Sequence, residues 1–591
     1  MKTTIFNRYT LTILLAVGMI SSCKDYLEVR PVTSFGPDYV FSDIDKTTQA
    51  VLGAYSSLGG DNGYGIRITM YYPYDSDDIM GQGATPYPDN ERRDIAHYNV
   101  QPSNTQLATP FNQMYLGIEK ANICIHYIPL MDKYQNGTDE EKTALKRLHG
   151  EALTLRAQYY YELIRNWGDV PVQWEPSAFE KDLFKGKTDR DEIYDHLLAD
   201  LADASALVPW RSQVPADERI TQGAVRALRA RIALARGGYS LRSATNTMQR
   251  PSNYKDFYQI ARDECNAIMQ SGEHHLNLSY QAIFKNGIAA HTLDQTGEVL
   301  WEIAMGGGNS ALGDSKLGYY NGPRVSGNGN GALTILPTYF YSFDSKDSRR
   351  DVTCAPYDIA NDGTYAPRSL ATMVDGKFRR DWITNPAPSP TSAQQYFGLN
   401  WPMIRYSDVL LMFAEAENEI NGAPTGAAIS AYEQVRTRAY GANPIGATPA
   451  DYNGFFNAIV NERWWEFGGE GMRKYDLIRW NMLASRIAKT KSDLTAMATL
   501  SAPYNNLPAT MYYQTGSNPT TGLVWKTDFY SPAPGSAPSG STGVTWAGST
   551  ITTTLLTYYA ISFTPNKSEL LPLATSVIDS NPALSQNFGF N

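Results

Sequence analysis

Between residues 141 and 167 the chain places Leu145, Leu148, Ala152, Leu155, Tyr159 and Leu163 at spacings of three and four, which marks one apolar face of a long helix. Asp169 and Pro171 end it, since proline cannot continue the helical hydrogen bonding. The same periodicity recurs over 111–128, 191–208, 221–237, 403–420 and 427–440, the last two joined through Asn421, Gly422, Pro424 and Gly426. Helices of this length with short connections pack as antiparallel pairs. Ala152, Ala157, Tyr160 and Pro171 in one segment, and Ala227, Ala230 and Ala233 in another, suit tetratricopeptide-like hairpins whose strict repeat length has been lost. The expected class is therefore mainly α.

Other regions have a different texture. Residues 61–110, 290–402 and 496–560 are rich in Gly, Asn, Pro and Tyr and predict a long irregular lobe with few short strands. Long loops inside a compact protein are usually functional or disordered. The aromatics of the first two argue for order, whereas SPAPGSAPSGSTG (531–543) reads as flexible. The expected organisation is one domain over 38–591, with a helical scaffold mainly in 38–60, 111–240 and 403–490.

At the start, Lys2 and Arg8 precede the apolar run LTILLAVGMI, too short to span a bilayer and suited to a signal peptide. Ser21, Ser22 and Cys23 follow at once. This pattern predicts a lipoprotein signal over 1–22, a lipid anchor on Cys23 inserted in a membrane, and a tether over 23–37. A net charge of −9 argues against a nucleic-acid ligand, which calls for a basic face. The remaining cysteines, Cys124, Cys265 and Cys354, are scattered without metal-site spacing, leaving one disulfide or three buried thiols open. No cofactor or metal fingerprint is present, and GNGNGA (327–332) lacks the strand and helix that a dinucleotide loop needs.

NERWWEFGGEGMRKYDLIRW (461–480) is the strongest candidate for catalysis. On one helix, Glu462, Glu466 and Glu470 would stand about 6 Å apart, a separation that glycoside hydrolases use. Such pairs, however, normally face each other across a cleft. Arg463, Arg473, Lys474 and Arg479 lie close enough to neutralise the row, which favours an ion-pair clamp between helices. No catalytic residue is assigned.

Residues 462–480 resemble the C-terminal signature of the SusD/RagB family, and three more segments agree in order. LHGEALTLRAQYYYELIRNWGDVPV (148–172) looks like the family's long hairpin helix. MIRYSDVLLMFAEAENEI (403–420) is similar to its R-Y-x-E-x-L-L-x-x-A-E-A helix, with Asp408 at the acidic position. NPALSQNFGF (581–590) matches its closing motif. Residues 571–574 only partly follow the segment that usually precedes that motif, and 496–550 is longer than the core pattern. The resemblance implies an outer-membrane, cell-surface lipoprotein of Bacteroidetes with no enzymatic activity. Such a protein captures an oligosaccharide, or in some members a peptide, and passes it to a SusC-like TonB-dependent transporter.

A sugar site needs aromatic platforms beside polar side chains. The resemblance points to two loop clusters: Tyr72, Tyr74, Asp75, Tyr87, Asp89 and Arg92 in the first, and Tyr319, Tyr320, Asn321 and Arg324 in the second. Trp382 is a further candidate. Asp75, Asp77 and Asp78 could instead select a basic peptide, and Asp77 and Asp78 are equally suited to stabilising the fold. Trp301, in a strand-like run, belongs to the core.

Overall fold

The computed structural model describes residues 36–83, 89–306, 308–384, 388–515 and 522–590. The signal, Cys23 and Tyr87 lie outside them. The longer helices are α1 (Ile44–Tyr55), α2 (Ala108–Tyr127), α3 (Asp139–Trp167), α4 (Arg190–Leu207), α5 (Gln222–Gly237), α6 (Tyr254–Ser271), α7 (Tyr406–Asn421), α8 (Gly426–Tyr440), α9 (Tyr452–Phe467), α10 (Arg473–Arg479) and α11 (Leu483–Ala498). Each helix from α2 to α5 packs on the next, α6 covers both α5 and α7, and α7 carries α8 and α9. The fold is mainly α, as the periodicity predicts.

Local chemistry explains the central helix. Thr138 and Glu141 form a capping box at the start of α3, satisfying backbone N–H groups that have no helical partner. At its end Gly168 takes φ +77°, a conformation that L side chains rarely adopt. Gly117 on α2 faces Tyr159 so closely that a Cβ there would sit 2.4 Å from the ring. The Tyr159 hydroxyl then donates to the Ala54 carbonyl of α1 at 2.5 Å, so one buried tyrosine ties three helices together.

The acidic row of 462–470 does not occupy one helix. α9 stops at Phe467, and the chain reverses through Gly469 (φ +82°) and Gly471 (φ +68°) before α10. A Cβ on Gly468 would meet the Tyr339 hydroxyl at 2.0 Å, so this glycine allows a close approach between the scaffold and the loop lobe. Glu470 therefore leaves the face shared by Glu462 and Glu466, correcting the expectation of three evenly stacked carboxylates.

The lobe contains short strands: β1 (Ile79–Met80), β2 (Val299–Ile303), β3 (Thr334–Ile335), β4 (Cys354–Ala355), β5 (Tyr357–Ile359), β6 (Tyr365–Pro367), β7 (Val374–Asp375), β8 (Trp401–Arg405), β9 (Thr510–Thr515), β10 (Leu523–Trp525) and β11 (Thr542–Thr545). The small sheet β1-β3-β7-β4 is antiparallel, with Ile79 opposite Ile335. β2 pairs with β8 and buries Trp301, and β5 pairs with β6. The strands β9, β10 and β11 form a sheet in the order β10-β9-β11, in which Met511 is buried, as is Trp546 just after β11. The low-complexity run 531–543 leads into the last of these strands. Cys124, Cys265 and Cys354 are buried free thiols.

Candidate functional site

Two charged regions could support function, and they differ in how their charges are paired. In the scaffold, Glu462 and Glu466 are completely buried and Glu470 nearly so. Arg405 reaches Glu466 at 2.7 Å, Glu470 at 2.8 Å and Glu298 at 2.9 Å. Arg438 meets Glu466 at 2.6 Å, Arg349 meets Glu462 at 2.7 Å, and Lys377 meets Glu470 at 2.7 Å. The neutralising cations thus come from distant segments rather than from the neighbours that the sequence suggests. Arg463 pairs instead with Asp408 and Asp476, Arg473 with Asp77, and Arg479 with Glu415 and Asp476, while Lys474 donates to the Tyr72 carbonyl.

Burial opposes ionisation throughout this network, and the number of cations around each carboxylate decides the outcome. Glu466 is held well below the usual carboxylate range because Arg438, Arg405 and Arg349 outweigh its desolvation. Glu462 has one guanidinium and the nearby Asp347, so burial pushes it up to about 7. With no water-accessible face, the row cannot act on a glycosidic bond. It clamps α8 and α9 to β8 and the lobe.

The first predicted cluster is mostly corrected by burial. Tyr72, Tyr74 and Asp75 are core residues with at most 1% exposure and are not offered to a ligand. Tyr72 donates to the Gln106 carbonyl at 2.9 Å. Asp75 meets His97 Nδ1 at 2.7 Å and accepts the Gly81 and Ala560 N–H groups at 2.8 and 2.7 Å. Asp77 and Asp78 are buried too, so the acidic trio presents nothing to a basic peptide. Asn321 is also corrected: it is buried beneath the second cluster, whose next residue, Gly322, donates its N–H to Asp375 at 3.0 Å. Asp89 pairs with Arg93 at 3.2 Å.

Arg92, Tyr319, Tyr320 and Arg324 do come together. The Arg92 guanidinium lies 5.9 Å from the Tyr320 ring and 6.0 Å from Tyr71, joining the two loops that the sequence presents separately. Its Nε donates to Gln82, whose amide nitrogen is 3.4 Å from the Asn330 side-chain oxygen. Asn330 donates its backbone N–H to the Tyr319 carbonyl at 2.7 Å, and its own carbonyl accepts from Arg324 Nε at 3.2 Å. Tyr319 and Tyr320 meet edge to face with centroids 5.1 Å apart. Tyr319 is half-buried and Arg324 exposed, so the group is held from behind and open in front.

Beside it, Trp382 is largely buried in a column: Arg379 stacks 4.5 Å from Trp382 and 5.3 Å from Tyr357, and Tyr357 stacks on Tyr365 at 4.3 Å. Gly522, φ +57°, closes the column, since a Cβ there would be 3.0 Å from the Tyr365 ring. The sequence reading missed Gln82, Asn330, Tyr357 and Tyr365. Tyr357 and Tyr365 carried a signal, two aromatics on paired short strands, whereas nothing local marks Gln82 or Asn330.

Comparisons with known proteins agree along the chain. A family model described as "SusD family" matches residues 297–590, and one described as "Starch-binding associating with outer membrane" matches 25–234. A SusD-like protein of Formosa agariphila is 24% identical over 494 residues, covering 78% of this chain and 88% of its own. A solved SusD homologue from Bacteroides thetaiotaomicron superposes with a TM-score of 0.75 at 20% identity, over 95% of this chain and 99% of that one. A surface glycan-binding protein A from the same organism, solved with laminarihexaose, gives 0.64 at 20% identity, over 92% of this chain and 99% of its own.

Proposed function

Because the chain belongs to the SusD/RagB family, we propose that it captures an oligosaccharide at the cell surface and delivers it to a SusC-like TonB-dependent transporter. It is not an enzyme. The observation that carries the capture reading is the bridge made by Arg92 between Tyr71 and Tyr320. With Tyr71 and Tyr320 buried behind it, the half-buried Tyr319 ring and the exposed Arg324 lie beside amide and guanidinium donors at the front of the group. Aromatic rings take the apolar faces of sugars, and the donors take their hydroxyls.

Cys23, acylated, would hold the protein in the outer membrane. A transporter would dock on the helical side, where Leu130, Phe179, Leu183, Phe184 and Phe588 are at least half exposed and Phe179 stacks on His126 at 4.5 Å. Affinity electrophoresis of purified protein in gels containing soluble glycans tests the capture reading. Retardation by at least one glycan, lost in Tyr319→Ala with an unchanged melting temperature, is the expected result. Mobility that no glycan alters, together with retention of peptides, contradicts it.

A further inference from the structure

Around Tyr319 and Tyr320 the cations lack the carboxylate partners that the scaffold gives its own. Among the described residues Arg92 forms no ion pair; it contacts Gln82 and two tyrosine rings. The Arg324 side chain donates to the Asn330 carbonyl and otherwise faces solvent. Arg380, 1% exposed, lies directly under this loop, with Nη1 2.9 Å from where a Gly329 Cβ would be. Its guanidinium stacks 4.3 Å from the Phe397 ring, and Nη2 donates to the Ser392 carbonyl at 2.5 Å. Nε and Nη1 have no hydrogen-bond partner among the described residues. Burial lowers Arg380 to about 10, which leaves it charged at neutral pH.

Most of the nearby carboxylates are already engaged; Asp375, beneath Gly322, makes no ion pair among the described residues, and burial pushes it up to about 7, which lowers its charge at neutral pH. Asp358 pairs with Arg368 at 2.8 Å while accepting the Arg324 backbone N–H at 2.9 Å, Asp381 pairs with Arg379 at 2.5 Å, and Asp89 pairs with Arg93. Three guanidinium groups therefore give this face positive charge on a chain whose net charge is −9. An unpaired buried guanidinium is costly unless something compensates it. A neutral sugar offers only hydroxyl acceptors, whereas a carboxylate or sulfate also brings the opposite charge, and arginine's planar fork matches both.

We propose that the captured ligand is an anionic oligosaccharide bearing uronate carboxylates or sulfate esters, with Arg92 and Arg324 engaging its charges and Tyr319, backed by the buried Tyr320, its sugar faces. Arg380 supplies positive potential from beneath. This rests on the loops being the capture face.

Calorimetric titration with three probes tests it: laminarihexaose, a galacturonate hexasaccharide and a κ-carrageenan hexasaccharide, each at about 50 and about 500 mM NaCl. The expected result is binding of the galacturonate probe, the carrageenan probe or both, weakened about tenfold or more at the higher salt. Arg92→Ala with Arg324→Ala should lose about tenfold, and the two lysine variants should recover part of that. Whichever anionic probe binds identifies carboxylate or sulfate as the group recognised. Preference for laminarihexaose, insensitive to salt and to the arginine variants but lost in Tyr319→Ala, overturns the anionic ligand and leaves the capture face standing. Binding of no probe, or binding unaffected by Tyr319→Ala, overturns both.

Discussion

The scaffold and the loop face use the same side chain, arginine, in opposite ways. Arg405 is 2% exposed and contacts three glutamates, and Arg349, Arg438, Arg463 and Arg473 are likewise paired. Arg92 and Arg324 sit on aromatic and amide partners without a carboxylate among the described residues. A charge removed from water must be matched from within, so the first set is committed to the fold. A charge at the surface stays matched by water until a ligand replaces it, so the second set remains available. The difference predicts which substitutions damage folding and which damage binding.

The largest effect is expected at the hub. Arg405→Ala leaves Glu466 and Glu470 short of a cation inside the core and should cost about 3–5 kcal/mol, read by denaturant unfolding. A loss below about 1 kcal/mol would break the contrast. Gly117→Ala comes next: its methyl meets the Tyr159 ring and should cost about 1–3 kcal/mol in the same assay.

Glu462→Gln sharpens the account through pH. Its carboxyl is raised from 4.5 to about 7 by burial, so its contribution is complete below about 4.5 and is lost as pH rises toward 7. Wild type should therefore lose more stability than Glu462→Gln between these values, by on the order of 2 kcal/mol. Glu466, shifted downward, does not titrate in that window. Equal slopes for the two proteins would contradict the environment assigned to Glu462. The smallest effect on stability is expected at Arg324→Ala, within about 0.5 kcal/mol of wild type, because the side chain is exposed.

The helical scaffold was legible because its signal is local. The spacing of Leu145, Leu148, Ala152 and Leu155 predicts α3 almost to its ends. α6 carries the same pattern in Phe257, Ala261, Cys265 and Ile268, yet its charged outer face left it unread. The acidic row was recognisable as a clamp, but its partners were not, since Arg349, Arg405 and Arg438 arrive from other segments. Tyrosines on loops were the hardest to place. Tyr74 and Tyr320 sit in similar aromatic-rich sequence, but Tyr74 is sealed within the core and Tyr320 backs an open surface, and only the tertiary fold separates them. The sheet β10-β9-β11 was hidden by the Gly-, Pro- and Ser-rich sequence between its strands.

Amide hydrogen exchange with and without the tightest-binding oligosaccharide tests the central contrast most directly. Binding should slow exchange in residues 89–96 and 317–332 while leaving 459–479 unchanged, since those amides are held by the fold whether or not a ligand is present. Protection confined to 459–479, with none around Tyr319 and Tyr320, would contradict the assignment of stability to one region and capture to the other.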